Sequence, residues 1–178
     1  RDGGIVCRTI GGGPPRGVCG TGAVSLLAAL LELGAVDETG LLDERWEEGF
    51  PLGGGLVFTQ RDIRQLQLAK AAIAAAMDAL FDAAGLSPSD VKTLYIAGAF
   101  GSAIDPQAAA RVGLIPAALA GRVSAAGNAA GMGACMIAAS QRALDDAEAL
   151  ARDARVLDLT ESPVLQGRFV EEMIFGMP

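Results

Sequence analysis

The stretch VKTLYIAGAFGSAIDP, residues 91–106, decides the fold that this sequence predicts. Residues 94–97 are a short and nearly all-apolar run, which is typical of a strand buried on both faces. Residues 98–101 (GAFG) follow at once, and glycine lets the backbone turn sharply and lets another group approach closely. Asp105 and Pro106 then indicate the N-cap and the first residue of a helix. The order is therefore strand, glycine turn, helix.

A second turn of the same kind occurs in VSAAGNAAGMGA, residues 123–134. An apolar run leads into Gly127, Asn128 and Gly131, and a helix is predicted to follow. In open α/β sheets, ligands bind outside the carboxyl ends of the strands, where such turns lie. Two of them in one small domain indicate a nucleotide or phosphate held mostly by backbone groups. The alternative is a pair of tight turns in an ordinary α/β fold.

Composition limits the function further. The 178 residues fit one domain, and only 4% of them are aromatic, so small aliphatic side chains must fill the core. The net charge of −7 argues against nucleic acid and against an anionic membrane surface as partners. No apolar run reaches the roughly 18 residues of a membrane helix, and no signal peptide is visible. The chain starts at Arg1, so we expect it to be a piece of something longer.

The chemistry-bearing residue types are sparse. Cys7, Cys19 and Cys135 are far apart and form no CxxC pattern, so they do not make a zinc or iron–sulfur signature. We expect them to be buried free thiols in a reducing cytoplasm. The chain has no histidine, which removes Ser–His and Cys–His catalysis and histidine-ligated metal sites.

The N-terminal part contains a third glycine-rich turn. Residues 4–10 are predicted to form a strand, and a helix is predicted to begin at Gly20-Thr21-Gly22 and to end at Gly34. The free N–H groups at that helix start make it a possible phosphate or anion site. The same residues come close to a dinucleotide fingerprint, which leaves a dinucleotide dehydrogenase as a further hypothesis.

The middle of the chain predicts an excursion and then a long helix. Residues 37–55 are polar and glycine-rich and hold Trp46, which favours an exposed excursion with a short hairpin; residues 56–58 resume a strand. Thr59 and Asp62 form an approximate capping box for a helix that Gly85 ends. The predicted apolar stripe of this helix is Ile63, Leu66, Ile73, Met77, Leu80 and Phe81.

Lys70 lies on that apolar stripe. A lysine there needs a snorkelling route to solvent or a negative partner. A phosphate or ribose of a ligand is one candidate partner, and snorkelling at the edge of the face is the alternative.

The last part predicts more helices and an edge strand. Helices are expected from Asp105 to Val112, over 127–140 with a small-residue face for close packing, and over 142–151 with an acidic amphipathic pattern. Residues 155–159 are predicted to be an edge strand. A last helix begins at Ser162-Pro163, and its apolar anchor is Phe169, Met173, Ile174 and Phe175. The element order indicates α/β, with helices covering a largely parallel or mixed sheet.

Five stretches together resemble one family. They are GVCGTGAVSLLAALLELGAVDETG, FTQRDIRQLQLAKAAIAAAMDAL, YIAGAFGSAIDPQAAARVGLIP, GNAAGMGA and LDLTESPVLQGRFVEEMIF. In this order they are similar to the C-terminal portion of the reductive activators of corrinoid proteins, also called corrinoid activation proteins. The resemblance covers nearly the whole chain.

The resemblance implies a cytoplasmic, ATP-dependent activator. Many members of the family carry an N-terminal ferredoxin-like [2Fe-2S] domain. Their C-terminal region belongs to the superfamily of actin, sugar kinases and heat-shock chaperones, which binds ATP and Mg²⁺ between two ribonuclease-H-like lobes. They use ATP to drive the reduction of cob(II)alamin to cob(I)alamin on a partner, a corrinoid protein or a corrinoid-dependent methyltransferase.

By this resemblance, residues 1–178 are a single domain, the second lobe of the ATPase. The implied fold is a ribonuclease-H-like α/β lobe with a mixed sheet covered by helices on both faces. The implied nucleotide-binding residues come from the first glycine turn, the long helix and the second glycine turn: Gly98, Ala99, Phe100, Gly101, Lys70, Gly127, Asn128 and Gly131. Ala99 stands where the superfamily often has a second glycine.

The chain also departs from the family pattern. It has no ferredoxin cysteine cluster, no first lobe and none of the acidic phosphate-and-magnesium motifs of that lobe. We therefore expect at most half of an ATP site, without turnover by the chain alone. Asp105 is a candidate magnesium or water-positioning group, and helix capping explains it equally well.

A function of a different class stays open. The chain could be a non-catalytic docking domain that binds the corrinoid protein through its alanine-rich helices and the excursion around Trp46. A lobe without its partner exposes an apolar face, which makes self-association into a homo-oligomer a further expectation.

Overall fold

The computed structural model describes residues 5–159 and 162–176. In chain order, its helices and strands are α1 (Gly20–Glu32), β1 (Phe50–Gly53), β2 (Leu56–Phe58), α2 (Gln60–Ala84), β3 (Leu94–Ala97), α3 (Gly98–Ala103), α4 (Pro106–Arg111), β4 (Val123–Gly127), α5 (Ala129–Ala139), α6 (Gln141–Asp153) and α7 (Pro163–Glu171). Short 3₁₀ turns occupy Glu44–Trp46, Pro88–Asp90 and Ala117–Arg122. The predicted α/β class is confirmed.

Within residues 5–159 and 162–176, the strands form two separate pairs and not one mixed sheet. β1 and β2 make an antiparallel hairpin, and β3 and β4 lie parallel. The strands predicted over 4–10 and 155–159 are wrong in their described parts, where neither stretch pairs. A strand exists only where a neighbour completes its ladder. The side chains of Val6 and Val156 are 85% and 96% exposed, so they do not pack against a sheet.

Local capping signals set most of the helix ends. Thr59 and Asp62 form the predicted capping box at the start of α2, and Gly85 ends that helix in the left-handed region at φ 63°. Asp105 caps α4 by accepting hydrogen bonds from two amides, and Pro106 is its first residue. Ser162 caps α7. At the helix starts, a capping side chain accepts hydrogen bonds from amides that have no partner within the helix. At the end of α2, Gly85 allows the backbone to leave the helical conformation.

The core lies between α1, α4 and the start of α2. The leucine face of α1 supplies Leu26, Leu27 and Leu30, all of them buried. The other buried apolar residues of this cluster are Val24, Ala28, Ala35, Val36, Leu42, Phe58, Ile63, Ile104, Ala108, Ala109, Val112, Leu114, Ile115 and Phe175. Alanine is frequent in this core, as the low aromatic content predicts.

The buried face of α2 differs from the predicted stripe. Ile73 and Leu80 are 47% and 52% exposed, so this part of the prediction is wrong. The helix buries instead a row of small and polar residues: Gln67, Lys70, Ala71, Ala74, Ala75 and Ala79. α7 packs along α2. Alanines permit that close approach, and the larger side chains stay outside it.

Residues 37–55 are less exposed than predicted. The hairpin is confirmed, but Val36 and Leu42 are buried and bridge to each other. Trp46 is half-buried, with its ring centroid 5.1 Å from that of Phe50. The excursion therefore closes the core next to α1 and does not project its tryptophan into solvent.

The small-residue face of α5 does not pack as predicted. α5 contacts α6 and contains no buried residue, while Met132 and Met136 are 65% and 61% exposed. α6 has the acidic amphipathic pattern that was predicted. None of the helices built by residues 5–159 and 162–176 has the length and apolar character that crossing a membrane requires.

The predicted anchor of the last helix is confirmed at one position. Phe175 is 1% exposed and joins the core, and its amide donates to the Glu38 carbonyl. Ile174 is 57% exposed, so it is not part of the anchor. Phe175 therefore attaches the segment after α7 to the loop that follows α1.

Candidate functional site

The two glycine turns lie at the same edge of one strand pair. β3 and β4 run parallel, with Leu94 opposite Val123 and Ala97 opposite Gly127. Their carboxyl ends therefore coincide, and α3 and α5 begin beside each other. This is the position at which open α/β sheets bind ligands. The strand itself is not buried on both faces as predicted, because Tyr95 is 70% exposed.

The first turn requires glycine at two positions for different reasons. Gly98 has φ +79°, in the left-handed region that side chains disfavour, and a Cβ built on it would meet nothing within 4 Å. The space above Gly98 is thus open to an approaching group. Gly101 is buried, and a Cβ there would overlap the Ile96 carbonyl. Ala99 follows Gly98 in the first turn of α3, with a negative φ that a side chain tolerates.

The second turn is held by its own asparagine. Gly127 has φ +59° with open space around it. The Oδ1 atom of Asn128 accepts a hydrogen bond of 3.0 Å from the Gly131 amide and caps α5. A Cβ on Gly131 would lie 2.5 Å from Nδ2 of Asn128. The glycine at 131 therefore makes room for the capping side chain.

The third candidate turn meets the first one. A Cβ built on Gly20 would lie 3.5 Å from Cε2 of Phe100, so the Phe100 ring rests on the start of α1. The structure thereby brings Gly20-Thr21-Gly22 next to α3, a contact between residues about 80 positions apart that the sequence pattern did not reveal. Phe100 is the residue that connects the two turns.

Cys19 is a site residue that sequence reasoning missed. It is the N-cap of α1, and its Sγ accepts a hydrogen bond of 3.4 Å from the Gly22 amide. Thr21 Oγ1 lies 3.5 Å from the same sulfur. The Thr21 hydroxyl, and then the Gly22 amide, hold the pKa of the Cys19 thiol below its usual value. A cysteine immediately before a Gly-Thr-Gly helix start was the signal.

A broad cavity of about 1210 Å³ opens at this end of α1. Thr21, Gly22, Cys19 and Asp105 are among its lining residues. Asp105 Oδ1 accepts from the Gln107 amide at 2.9 Å and from the Ala108 amide at 3.4 Å. The capping explanation of Asp105 is thus observed, and the residue also borders a space that could hold a polar ligand.

Lys70 has a partner within the chain. Its Nζ donates to the Ile174 carbonyl at 2.8 Å and lies 3.5 Å from Oε2 of Glu172. The side chain is 1% exposed, so it does not snorkel. Burial lowers the pKa of Lys70, and Glu172 opposes that shift. The negative partner required by the sequence is thus Glu172, and these contacts give no support to the predicted nucleotide role.

The described residues hold no ready metal cluster. Within 5–159 and 162–176, no three Asp, Glu, Cys or His side chains are arranged to hold one ion. The three cysteines are free, as predicted, but all three are exposed, so the expectation of burial is wrong. Exposure follows from their positions in residues 5–19 and on the open helix α5.

Comparison with known proteins places the chain in a family. Residues 2–177 match the family described as the C-terminal domain of RACo, the ASKHA domain. The chain therefore belongs to this ASKHA family, and its α/β architecture is consistent with a ribonuclease-H-like lobe. The strand-and-glycine-turn arrangement thus lies within a known domain type.

Individual relatives agree with the family match. The chain is 30% identical to the corrinoid activation enzyme RamQ of Eubacterium limosum, over 98% of this chain and 34% of that protein. It is 31% identical to the [Co(II) methylated amine-specific corrinoid protein] reductase of Methanosarcina barkeri, over 56% of this chain and 18% of that protein. The chain thus spans about a third of the length of the first relative and less than a fifth of that of the second.

A solved structure has the same fold. The chain superimposes with a TM-score of 0.84 on a reductive activator for corrinoid, iron–sulfur protein, at 28% identity. The match covers 94% of this chain and 30% of that one. The resemblance read from the sequence is confirmed at the level of family and fold.

Proposed function

We propose that this chain is the C-terminal lobe of an ATP-dependent reductive activator that returns cob(II)alamin to cob(I)alamin on a corrinoid methyl-transfer protein. Family membership supports the proposal, and so do relatives whose names describe corrinoid activation and the reduction of a corrinoid protein. The partner would be a corrinoid protein or a corrinoid-dependent methyltransferase, and the setting would be cytoplasmic.

The proposed nucleotide binding rests on one observation: β3 and β4 lie parallel, and a glycine turn follows each of them at its carboxyl end. Gly98 and Gly127 both have positive φ, and the space above each is open. An adenine ring or a ribose could approach the backbone at these two glycines without meeting a side chain. Gly98, Ala99, Phe100 and Gly101 would line one side, and Gly127, Asn128 and Gly131 the other.

The residues available to hold the phosphates and Mg²⁺ of the nucleotide fit that role only in part. The start of α1 offers the backbone amides of Gly20 and Thr21 beside Phe100, which suits an anion, whereas the Gly22 amide already donates to Cys19 Sγ. For Mg²⁺, this chain offers Asp105 and no cluster of three ligands among residues 5–159 and 162–176. Mg²⁺ usually takes only one or two protein carboxylates together with phosphates and water. Further acidic ligands would come from a first lobe outside this chain, and any [2Fe-2S] cluster from a separate N-terminal domain.

The work of this lobe would be coupling and not covalent catalysis. No histidine is present, and no side chain at the glycine turns is an activated nucleophile for phosphate. The lobe would bind adenosine and close on it. Closure favours the activator–corrinoid complex only to the extent that ATP binds the closed state better. The chain alone is at most half of the ATP site and does not hydrolyse ATP by itself.

The direct test is cobalt reduction by a polypeptide of the relatives' full length, carrying this chain. A purified corrinoid protein in the cob(II) state is incubated with reductant, Mg-ATP and the activator, and cob(I) is followed by its visible absorption. We expect reduction that depends on ATP, is lost in Gly98→Val and is retained in Gly121→Ala. Gly121 is the matched control because its φ is ordinary and a Cβ there meets nothing.

A second candidate function is a docking domain without nucleotide. The exposed apolar side of α5, with Met132 and Met136, favours it, whereas the half-buried Trp46 does not. The same assay separates the two functions. Reduction that is unchanged without ATP and in Gly98→Val would support docking alone and contradict the nucleotide role.

A further inference from the structure

Two of the three cysteines line one cavity. Cys7 and Cys19 are both among the residues that line the cavity of about 1210 Å³ at the start of α1. Both are exposed free thiols, as is Cys135, which lies on α5 and is not among the residues lining this cavity. The chain therefore contains a pair of accessible thiols at one site and a single accessible thiol elsewhere.

The two thiols of the pair differ in their surroundings. Cys19 caps a helix of 13 residues, with the Gly22 amide at 3.4 Å and the Thr21 hydroxyl at 3.5 Å from its sulfur. Both groups stabilise negative charge on sulfur, and so does the positive end of the α1 dipole. These surroundings favour Cys19 as the attacking thiol, which leaves Cys7, the other cysteine lining the cavity, for the resolving role.

The segment that carries Cys7 is a loop with two glycines in the left-handed region. Residues 5–19 form no helix or strand, and their described backbone turns at Gly11 and Gly12 with φ +81° and +72°. A disulfide requires the two Cα atoms to lie about 5.5 Å apart. Eleven residues separate the two cysteines, and the turn at these glycines lets the segment fold back on itself.

We propose that Cys19 and Cys7 form a thiol–disulfide switch at the mouth of this cavity. The Cys19 thiolate attacks one sulfur of a low-molecular-weight disulfide, the S–S bond of that molecule breaks, and one thiolate leaves. The Cys7 thiolate then attacks Sγ of Cys19 in the mixed disulfide and releases the second thiol. Two cysteines are oxidised, and one small disulfide is reduced to two thiols.

The oxidised form would differ from the reduced form at α1. The bridge would tie residues 7–19 into a closed loop across the cavity, and it would convert the thiol at the helix N-cap into a disulfide sulfur. The switch does not depend on the proposed nucleotide function, because it rests on the cavity and on the cap of α1. It would nevertheless lie beside Thr21 and Gly22, so its state would alter access to that turn.

The test is oxidation of the protein with cystamine under anaerobic conditions, read by mass spectrometry of the intact chain and of its peptides. We expect the wild-type chain to yield a cross-linked peptide that contains Cys7 and Cys19 and is two hydrogens lighter than its two component peptides, whereas the exposed Cys135 carries at most a mixed disulfide. Cys7→Ser should stop at a mixed disulfide on Cys19. Cys135→Ser, the matched control, should form the cross-link at the wild-type rate.

Two outcomes would overturn the switch. One is a mixed disulfide on all three cysteines at equal rates with no Cys7–Cys19 peptide. The other is a Cys19→Ser variant in which Cys7 reacts as fast as in the wild type. Repetition in urea supplies a further check, because the advantage of Cys19 depends on the folded cap and must disappear on unfolding. Serine replaces an exposed thiol at each position, and circular dichroism verifies that the variants fold.

Discussion

Ala97, the last residue of β3, is paired with Gly127, the last residue of β4. This register makes two distant glycine turns neighbours, although their sequences are separated by some thirty residues. Gly98 and Gly127 both take left-handed backbone conformations with open space above them. The shared edge that results is the basis of the proposed nucleotide surface.

Two glycines of α5 should respond in opposite ways to alanine. Gly133→Ala is expected to raise the free energy of unfolding by up to about 1 kcal/mol, because it replaces a helical glycine and its Cβ meets nothing. Gly131→Ala is expected to lower it by about 1 kcal/mol, because its Cβ displaces the capping Asn128. Urea unfolding of the two variants measures both values. Equal effects would mean that the Asn128 cap does not hold α5.

Lys70 should be required for stability. Lys70→Ala leaves Glu172 and the Ile174 carbonyl without their buried donor, and we expect a loss of about 3 kcal/mol in the free energy of unfolding. Arg142→Ala is the control, because its ion pair with Asp146 is solvent-exposed and should have no measurable effect. Equal losses in the two variants would contradict the buried anchor.

The buried lysine also predicts a pH dependence. Burial lowers the pKa of Lys70, so the folded protein releases this proton at a lower pH than the unfolded chain does. Between the two pKa values the unfolded chain binds more protons, and the free energy of unfolding therefore gains a contribution that rises with pH up to about 10.4. Urea titrations from neutral pH upward should show this rise in the wild type relative to Lys70→Met. Parallel curves for the two proteins would show that the lysine titrates normally.

Phe175 should contribute more to the stability of the fold than its neighbour Ile174. Phe175→Ala removes a ring that is 1% exposed, and we expect it to cost about 3–5 kcal/mol of stability. Ile174→Ala, at 57% exposure, should change stability by less than about 0.5 kcal/mol. Thermal unfolding of both variants tests this contrast. Similar melting temperatures would show that the end of the chain does not close the core.

Much of the architecture was readable from local signals. Asp105-Pro106, the Thr59 capping box and Gly85 fix helix ends through groups only a few residues apart, so the sequence contains the whole cause. The turn at 98–101 follows in the same way from two glycines. Neighbouring residues determine these features, whereas the strand at 94–97 also needs its distant partner β4.

The remaining features depend on contacts that no local pattern encodes. The buried side chains of Lys70 and Gln67 donate hydrogen bonds to backbone carbonyls of residues more than a hundred positions away. The contact between Phe100 and Gly20 joins two turns whose proximity only the fold creates. Alanine marks no face of a helix, so the side of α2 that meets α7 could not be read from its larger residues. The strands expected over 4–10 and 155–159 were apolar enough, but in their described parts they have no ladder partner.

The most direct test of the nucleotide surface is a titration of ¹⁵N-labelled chain with Mg-ATP, followed by amide chemical shifts, which detect binding even at millimolar affinity. We predict shifts at Gly98, Gly101, Gly127 and Gly131, lost in Gly98→Val and retained in Gly121→Ala. No change at either glycine turn, or identical changes in the two variants, would contradict a nucleotide surface built from these turns.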